Sequence, residues 1–215
     1  MKHYSNRKGR LEKAFEKCPI YGITGGSSDV VSLVEAMLEG GIRIVQYREK
    51  QKTPMIRYHE ALLLRHITER YGALLIINDY IDLALAVKAD GVHIGQDDLP
   101  PRVVRAIVGD SMIIGWSTHN IEDLENANRY SDCLDYIGVG PVYATPTKPH
   151  VMPVGLSYVA WAAQHSVLPT VAIGGITVDN VRYVWKQQPT MICAVRAIVE
   201  SSNIELTIKE LCNEN

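Results

Sequence analysis

The chain has 215 residues, enough for one ordinary domain or two small ones. Hydrophobic residues make up 47% and charged residues 21%, which is typical of a soluble globular protein with a full core. The formal net charge of −2 provides no broad basic surface, so the composition argues against a nucleic-acid partner. An anionic ligand must therefore be held by local groups or by a metal ion.

The cysteines and the N-terminal segment indicate the compartment. Four cysteines lie far apart and form no Cys-x-x-Cys pair, which favours a reducing compartment over a zinc site or a disulfide framework. The basic first ten residues lead into no apolar run, and no stretch is long enough to span a membrane. We therefore expect a cytoplasmic protein with no membrane partner.

Short apolar runs alternate with longer helical patterns along the chain. Most of these runs are continuous, as in Leu74–Ile77, which is the pattern of strands buried on both faces of a parallel sheet. Between them, Val31, Val34 and Leu38 follow a helical spacing. The predicted strands are Ile20–Thr24, Ile42–Arg48, Leu74–Asn78, Gly91–Gly95, Met112–Ser117, Tyr136–Gly140, Thr170–Gly174 and Met191–Arg196.

Eight strand–helix units in this length predict an α/β fold, a single-domain (β/α)8 TIM barrel over residues 1–215 with an N-terminal extension of about 18 residues. A doubly wound open sheet is the alternative, but no Gly-x-Gly-x-x-Gly follows the first strand. In a barrel, functional residues gather at the carboxyl ends of the strands. Polar residues cluster at those positions in this sequence.

The second and third predicted strands end in groups suited to an anion. Alternation along a strand places Gln46, Arg48 and Lys50 on one face, and a solvated strand end is the alternative. Asn78 and Asp79 end the third strand, and Asp98 follows the fourth. Carboxylates on neighbouring strand ends can share Mg²⁺ with a substrate phosphate, although Asp and Asn also cap helices.

The fourth and fifth strands contain two histidines and a serine. A single histidine such as His93 is more often a core residue with satisfied hydrogen bonds than a ligand. Ser117 and His119 lie two residues apart, with no Gly-x-Ser-x-Gly elbow and no evident orienting acid, so a nucleophilic triad is disfavoured. We interpret Ser117 as a hydroxyl donor.

The last three strands are followed by candidate phosphate-binding groups. Thr145, Thr147 and Lys148 lie in a proline-stiffened loop that is long enough to act as a lid, or is simply a solvated loop. Gly175 follows the seventh strand, and Val195 and Arg196 end the eighth. Barrels often bind phosphate at these two strand ends, although a Gly-Gly pair also serves as a plain turn.

Together these segments resemble the thiamine-phosphate synthase family, in family order and spacing from about Tyr21 to Ile198. The segments that carry the resemblance are Val45–Lys50, Ile77–Asp79, Ala89–Asp98, Gly115–His119, Tyr136–Tyr143, Thr145–Lys148 and Ala172–Ile176. The resemblance implies a TIM barrel. It also implies a transferase that joins hydroxymethylpyrimidine diphosphate to hydroxyethylthiazole phosphate and releases pyrophosphate.

The resemblance also implies roles for the site residues. Gln46, Arg48, Lys50 and Asn78 would contact the pyrimidine's diphosphate, and Ser117 and Lys148 the leaving pyrophosphate, with Arg48, Ser117 and Lys148 as the catalytic set. Asp79 and Asp98 would hold Mg²⁺. Thr145, Thr147, Gly175, Val195 and Arg196 would surround the thiazole phosphate.

Three positions depart from the family pattern. Trp116 replaces a small aliphatic residue, which suggests a reshaped pyrimidine side of the pocket. Residues 187–190 replace a small-residue turn at the opposite end of the barrel, where stability is more affected than chemistry. Arg196 replaces a frequent serine, which leaves its side-chain role open while its backbone role remains.

Two other functions are alternatives. A thiazole tautomerase of the same family typically lacks the metal-site pair, whereas Asp79 and Asp98 are both present here. A non-catalytic barrel that binds a phosphorylated ligand is the second alternative. The expected partners are small-molecule substrates, and a homo-oligomer stays open because no stretch of the sequence marks an interface.

Overall fold

In the computed structural model, which describes residues 7–145 and 151–212, eight parallel strands form a barrel surrounded by helices. Its elements in chain order are α1 (Arg7–Lys17), β1 (Gly22–Ile23), α2 (Val30–Glu39), β2 (Ile44–Tyr47), α3 (Pro54–Tyr71), β3 (Leu74–Asn78), α4 (Ile81–Ala86), β4 (Gly91–Ile94), α5 (Pro101–Val108), β5 (Ile113–Thr118), α6 (Ile121–Arg129), β6 (Tyr136–Val139), α7 (Gly155–His165), β7 (Thr170–Ile173), α8 (Val181–Trp185), β8 (Met191–Cys193), α9 (Val195–Val199) and α10 (Ile204–Cys212). The predicted (β/α)8 barrel is confirmed. The doubly wound sheet is wrong, because the strands pair in chain order from β1 to β8.

The first and last strands meet and close the barrel. Ile20 forms a parallel bridge with Ile192. The backbone N–H of Tyr21 donates to the carbonyl of Ile192 at 2.8 Å, and the N–H of Ile192 donates to the carbonyl of Pro19 at 3.0 Å. These contacts satisfy backbone groups that would otherwise be exposed at two sheet edges.

The alternation of side chains along the strands produces two separate cores. Leu75 and Ile77 pack outward against the helices, whereas Ile76 points into the barrel. Every one of these three side chains is fully buried, which explains why β3 reads as a continuous apolar run. The interior cluster contains Leu11, Ala14, Tyr21, Ile23, Ile44, Leu74, Ile76, Ile113, Tyr136, Val171, Met191 and Cys193.

Helix α1 packs against the end of the barrel opposite the carboxyl ends of the strands. Its Leu11 and Ala14 belong to the interior core. Its Arg7 pairs with Asp135, which precedes β6, and its Arg10 pairs with Asp90, which precedes β4. The first helix therefore closes the bottom of the barrel and leaves the other end open.

Six of the eight predicted strands end earlier than the sequence suggested, and two of these ends bear on the site. Strand β2 ends at Tyr47, before Arg48, and β8 ends at Cys193. Val195 and Arg196 were predicted to lie on the eighth strand, but they form the first turn of α9. The apolar run continues across this boundary, so residue type gave no signal for the change. Among the described residues, no helix is both long and apolar enough to cross a membrane.

Candidate active site

A cavity of about 760 Å³ opens at the carboxyl ends of the strands. Eight of the residues predicted for the site line it: Gln46, Arg48, Asn78, Ser117, Thr145, Gly175, Val195 and Arg196. Lys50, Asp79 and Asp98 lie outside this lining. Thr147 and Lys148 lie outside the described residues.

The cationic side of the cavity is built at the end of β2. Gln46 is almost fully buried and points inward. Arg48, the first residue after the strand, also lines the cavity. The Thr24 hydroxyl accepts a hydrogen bond from the Arg48 backbone N–H at 3.0 Å, which holds the chain in place where the strand ends. This arrangement fixes the backbone from which the guanidinium reaches the cavity.

Lys50 departs from the face on which the alternation placed it. Because β2 ends at Tyr47, the period of two no longer applies at position 50. Its ammonium instead pairs with Asp79 Oδ2 at 3.1 Å, and its side chain is half exposed. The prediction that Gln46, Arg48 and Lys50 share one face is therefore wrong for Lys50.

The two candidate metal ligands follow paired neighbouring strands, β3 and β4. Asp79 has a backbone φ of 63°, an uncommon conformation outside glycine that Asp tolerates better than most residues. Asp98 is exposed, and its Oδ2 accepts a hydrogen bond from the Gly95 N–H at 2.6 Å. Within the described residues, no group of three or more His, Cys, Asp or Glu side chains could hold a metal ion.

Three inward-facing aromatic residues at the site were not predicted from the sequence. His93, read as a core residue, lines the cavity and lies 2.9 Å from Ser117 Oγ through its Nε2 atom. Its Nδ1 atom lies 3.0 Å from the hydroxyl of Tyr136, which lies 2.7 Å from that of Tyr21. Only their inward register positions could have indicated these contacts. The third group behind Ser117 and His93 is the phenol of Tyr136 rather than a carboxylate.

The opposite side of the cavity is formed by backbone after β7 and β8. Gly175 has a φ of 65°, and a Cβ there would lie 2.7 Å from that of Tyr143. Glycine therefore lets the loop after β6 lie against this turn. Val195 and Arg196 contribute the first turn of α9, where backbone N–H groups have no partner within the helix. The Arg196 guanidinium pairs with Glu200 at 2.9 Å.

Trp116 lies on the opposite side of β5 from Ser117 and does not line the cavity. Its indole N–H donates to the Gly95 carbonyl at 3.0 Å, and its ring packs edge-on against Tyr130. The expectation that it reshapes the pyrimidine side of the pocket is wrong, because alternation turns residue 116 outward when Ser117 points inward.

Arg48, Asn78 and Ser117 thus line the same cavity as the first turn of α9, at the open end of a (β/α)8 barrel. This combination defines the class of protein as a barrel enzyme that acts on small molecules.

Comparison with known proteins identifies the family. Residues 20–198 match the family model described as thiamine monophosphate synthase. A thiamine-phosphate synthase from Caldicellulosiruptor saccharolyticus is 47% identical over 204 residues, covering 92% of this chain and 90% of the relative. One from Synechocystis sp. is 45% identical over 194 residues, and the match spans 90% of this chain and 56% of that longer relative.

A solved structure agrees with these sequence matches. The thiamine phosphate pyrophosphorylase from Pyrococcus furiosus superposes with a TM-score of 0.82 at 33% identity, covering 91% of this chain and 94% of the other. The chain belongs to the thiamine monophosphate synthase family. It is a thiamine-phosphate synthase by family and a transferase by enzyme class.

Proposed function

We propose that this chain joins hydroxymethylpyrimidine diphosphate to hydroxyethylthiazole phosphate, giving thiamine phosphate and pyrophosphate. The observation that carries the proposal is one cavity shared by Arg48, Asn78 and Ser117 on one side and the Gly175 and α9 backbone on the other. Its volume of about 760 Å³ is in the range of small-molecule sites, roughly 300–1,000 Å³. Two phosphorylated substrates therefore have separate anion-binding groups within one enclosure.

The reaction fits a site without a strong base or a covalent nucleophile. The electron-rich pyrimidine lets the bond between its methylene carbon and the diphosphate oxygen break first, and pyrophosphate leaves with the electron pair. The thiazole nitrogen then donates its lone pair to the methylene carbon, and no proton is transferred. The chain must neutralise charge on the departing diphosphate and hold the two substrates in line.

The residues of the cavity fit these two tasks, charge neutralisation at the diphosphate and positioning of the thiazole phosphate. Arg48 and Asn78 would bind the diphosphate from β2 and β3, and Ser117 would donate to it from β5. Gly175, Val195 and Arg196 would receive the thiazole phosphate through backbone N–H groups, with Thr145 beside them. The Arg196 guanidinium is engaged by Glu200, which supports a backbone rather than a side-chain role for this residue.

Asp79 and Asp98 fit the donor set of Mg²⁺, which is usually bound through one or two carboxylates plus substrate phosphates. In contacts among the described residues each carboxylate uses only its Oδ2 atom, with Lys50 and with the Gly95 N–H. When bound, Mg²⁺ would supply positive charge against the diphosphate. Lys50 would hold Asp79 on the same side of the barrel.

The test of this proposal is product formation by the purified chain from the two substrates, with and without Mg²⁺. We expect thiamine phosphate and pyrophosphate in equal amounts, and only when both substrates and the metal are present. Thiazole isomerisation without pyrophosphate release would favour the tautomerase alternative instead. Ligand binding unaffected by a chelator and without turnover would favour the binding-module alternative.

The metal assignment is tested by Asp98→Ala. We expect this variant to need a higher Mg²⁺ concentration for half-maximal rate and to lose roughly 10²–10³ in rate at fixed Mg²⁺. Asp97→Ala in the same loop is the matched control, for which we expect the wild-type Mg²⁺ requirement. Wild-type behaviour of both variants would overturn the assignment of Asp98.

Lys148 and Thr147 are assigned by the family resemblance alone. We expect Lys148→Ala to slow turnover, by analogy on the order of 10²–10³, with little change in the melting temperature. Steady-state kinetics and thermal unfolding would separate these effects, and wild-type turnover would remove Lys148 from the catalytic set. The cytoplasmic location and the oligomeric state stay predictions.

A further inference from the structure

A chain of hydrogen bonds crosses the barrel interior and ends at Ser117. The Gln46 side-chain N–H donates to the Tyr21 hydroxyl at 3.1 Å, and the Tyr21 and Tyr136 hydroxyls lie 2.7 Å apart. Tyr136 continues to His93 Nδ1 at 3.0 Å, and His93 Nε2 reaches Ser117 Oγ at 2.9 Å. The chain therefore links an inward residue of β2 to the candidate anion donor on β5.

The Gln46 amide, with its nitrogen toward Tyr21, gives this chain a direction. Tyr21 accepts from Gln46, so its own hydrogen is available to Tyr136, and the Tyr136 hydrogen is available to His93 Nδ1. His93 then has its single ring hydrogen on Nε2 and donates it to Ser117 Oγ. The Ser117 hydroxyl hydrogen is left to point away from His93 and into the cavity that both residues line.

The opposite direction leaves a buried hydrogen without an acceptor. If His93 Nδ1 donated to Tyr136, the Tyr136 hydrogen would go to Tyr21, which already accepts from Gln46. The Tyr21 hydroxyl hydrogen would then have no acceptor within this chain of contacts, and Tyr21 is 1% exposed. Leaving a buried donor unsatisfied is costly, so the first direction is favoured.

Both phenols stay protonated in this environment. Burial raises the pKa of Tyr21 above its ordinary value, despite hydrogen bonds that lower it. Burial also raises the pKa of Tyr136, and the neighbouring Tyr21 raises it further. At neutral pH each hydroxyl therefore keeps the hydrogen that it donates in this chain of hydrogen bonds.

We propose that His93 is a positioning residue that, as the neutral Nε2–H tautomer fixed by Tyr136, turns the Ser117 hydroxyl hydrogen toward the bound anion. The proposal rests on the proposed function in one respect, because the anion is taken to be the diphosphate of the substrate or product. His93 acts only through Ser117 and transfers no proton during the reaction. A donor that is oriented in advance need not reorganise when the charge arrives.

The experiment is a double-mutant cycle read out by pyrophosphate binding in the presence of Mg²⁺, measured by titration calorimetry on the full chain. His93→Phe removes the donor and keeps a ring, Ser117→Ala removes the hydroxyl, and the third variant combines them. His93→Gln restores an N–H donor in this region. His66→Phe makes the same chemical change on the exposed side of α3 and serves as the matched control.

We expect His93→Phe to weaken pyrophosphate binding on the order of tenfold, which is the effect of one hydrogen bond to a charged group. Ser117→Ala should weaken it at least as much, and adding His93→Phe to Ser117→Ala should cause no further loss. His93→Gln should bind close to wild type, and His66→Phe should be unchanged. Unfolding temperatures of all variants would show that the fold is retained.

Three results would overturn the proposal. These are additive losses in the double variant, unchanged binding by folded His93→Phe, or a wild-type chain that does not bind pyrophosphate. If His93→Phe does not fold, Tyr136→Phe replaces it in the cycle, because it removes the hydroxyl that fixes the tautomer, and the same non-additivity is required. Wild-type binding of pyrophosphate without thiamine phosphate formation would instead contradict the proposed function alone.

Discussion

Three aspartates at opposite ends of the barrel differ in burial and in the partners that they contact. Asp79 is partly exposed and Asp98 is exposed at the open end, and within the described residues each contacts its partner through Oδ2. Asp135, at the closed end, is buried and accepts from Arg7, Arg105 and the Ile114 N–H. Removing one partner of a buried ion pair leaves the other charge buried and uncompensated, whereas an exposed carboxylate is available to a metal or a ligand.

Removing Asp135 should therefore destabilise the fold strongly. We expect Asp135→Ala to lower the free energy of unfolding by about 3–5 kcal/mol, because two arginines lose a buried partner. Urea unfolding followed by circular dichroism would measure the change. Asp132→Ala is the matched control, since its pair with Arg102 is about 60% exposed and should contribute under about 1 kcal/mol. Equal losses in the two variants would contradict this distinction.

At the scale of elements, β5 and β6 fit together because one strand lacks a side chain where the other has a large one. Gly115 pairs with Tyr136, and a Cβ at position 115 would overlap the Tyr136 ring. The missing side chain lets Tyr136 cross the interior toward Tyr21 and His93. The glycine of β5 is thus a condition for the hydrogen-bond chain that ends on the same strand at Ser117.

Adding a methyl group at this position should disturb both strands. We expect Gly115→Ala to cost about 1–3 kcal/mol of stability by overpacking and to weaken pyrophosphate binding by displacing Tyr136. Gly138→Ala on β6 is the matched stability control, because its nearest neighbour would be His93 Cε1 at an ordinary 3.5 Å. Thermal unfolding should separate the two variants, and an equally stable Gly115→Ala would show that Tyr136 can move without cost.

For the whole molecule, the barrel is closed at one end by α1 and open at the other. Leu11 is 1% exposed and packs within the interior core, although it precedes the first strand. The segment predicted as an N-terminal extension therefore contributes a side chain to the centre of the barrel. Its basic residues pair with Asp90 and Asp135 and fix the helix there.

The contribution of α1 is measured by shortening Leu11. Leu11→Ala should lower the free energy of unfolding by about 2–5 kcal/mol, because it leaves a cavity beneath the interior core. Leu63→Ala on α3 is the control, since Leu63 is 53% exposed and should change stability by no more than about 0.5 kcal/mol. Denaturant unfolding of both variants is the measurement. A small loss for Leu11→Ala would mean that the barrel floor does not depend on this helix.

The sequence by itself determined the barrel and placed eight of the predicted site residues in one cavity. Strands buried on both faces are continuous apolar runs, and the end of each run marks the place where function gathers, so Gln46, Arg48, Asn78 and Ser117 could be placed in one cavity. Such signals depend on neighbours along the chain. They can therefore be recognised without knowledge of the tertiary contacts.

Only the tertiary structure decided which side chains meet across the barrel. Lys50 pairs with Asp79, and Trp116 turns away from the cavity. Val195 begins a helix, while His93 joins Tyr136 to Ser117. The physical reason is that each contact depends on where a strand ends or on an inward register shared by distant strands, and residue type alone does not carry that information.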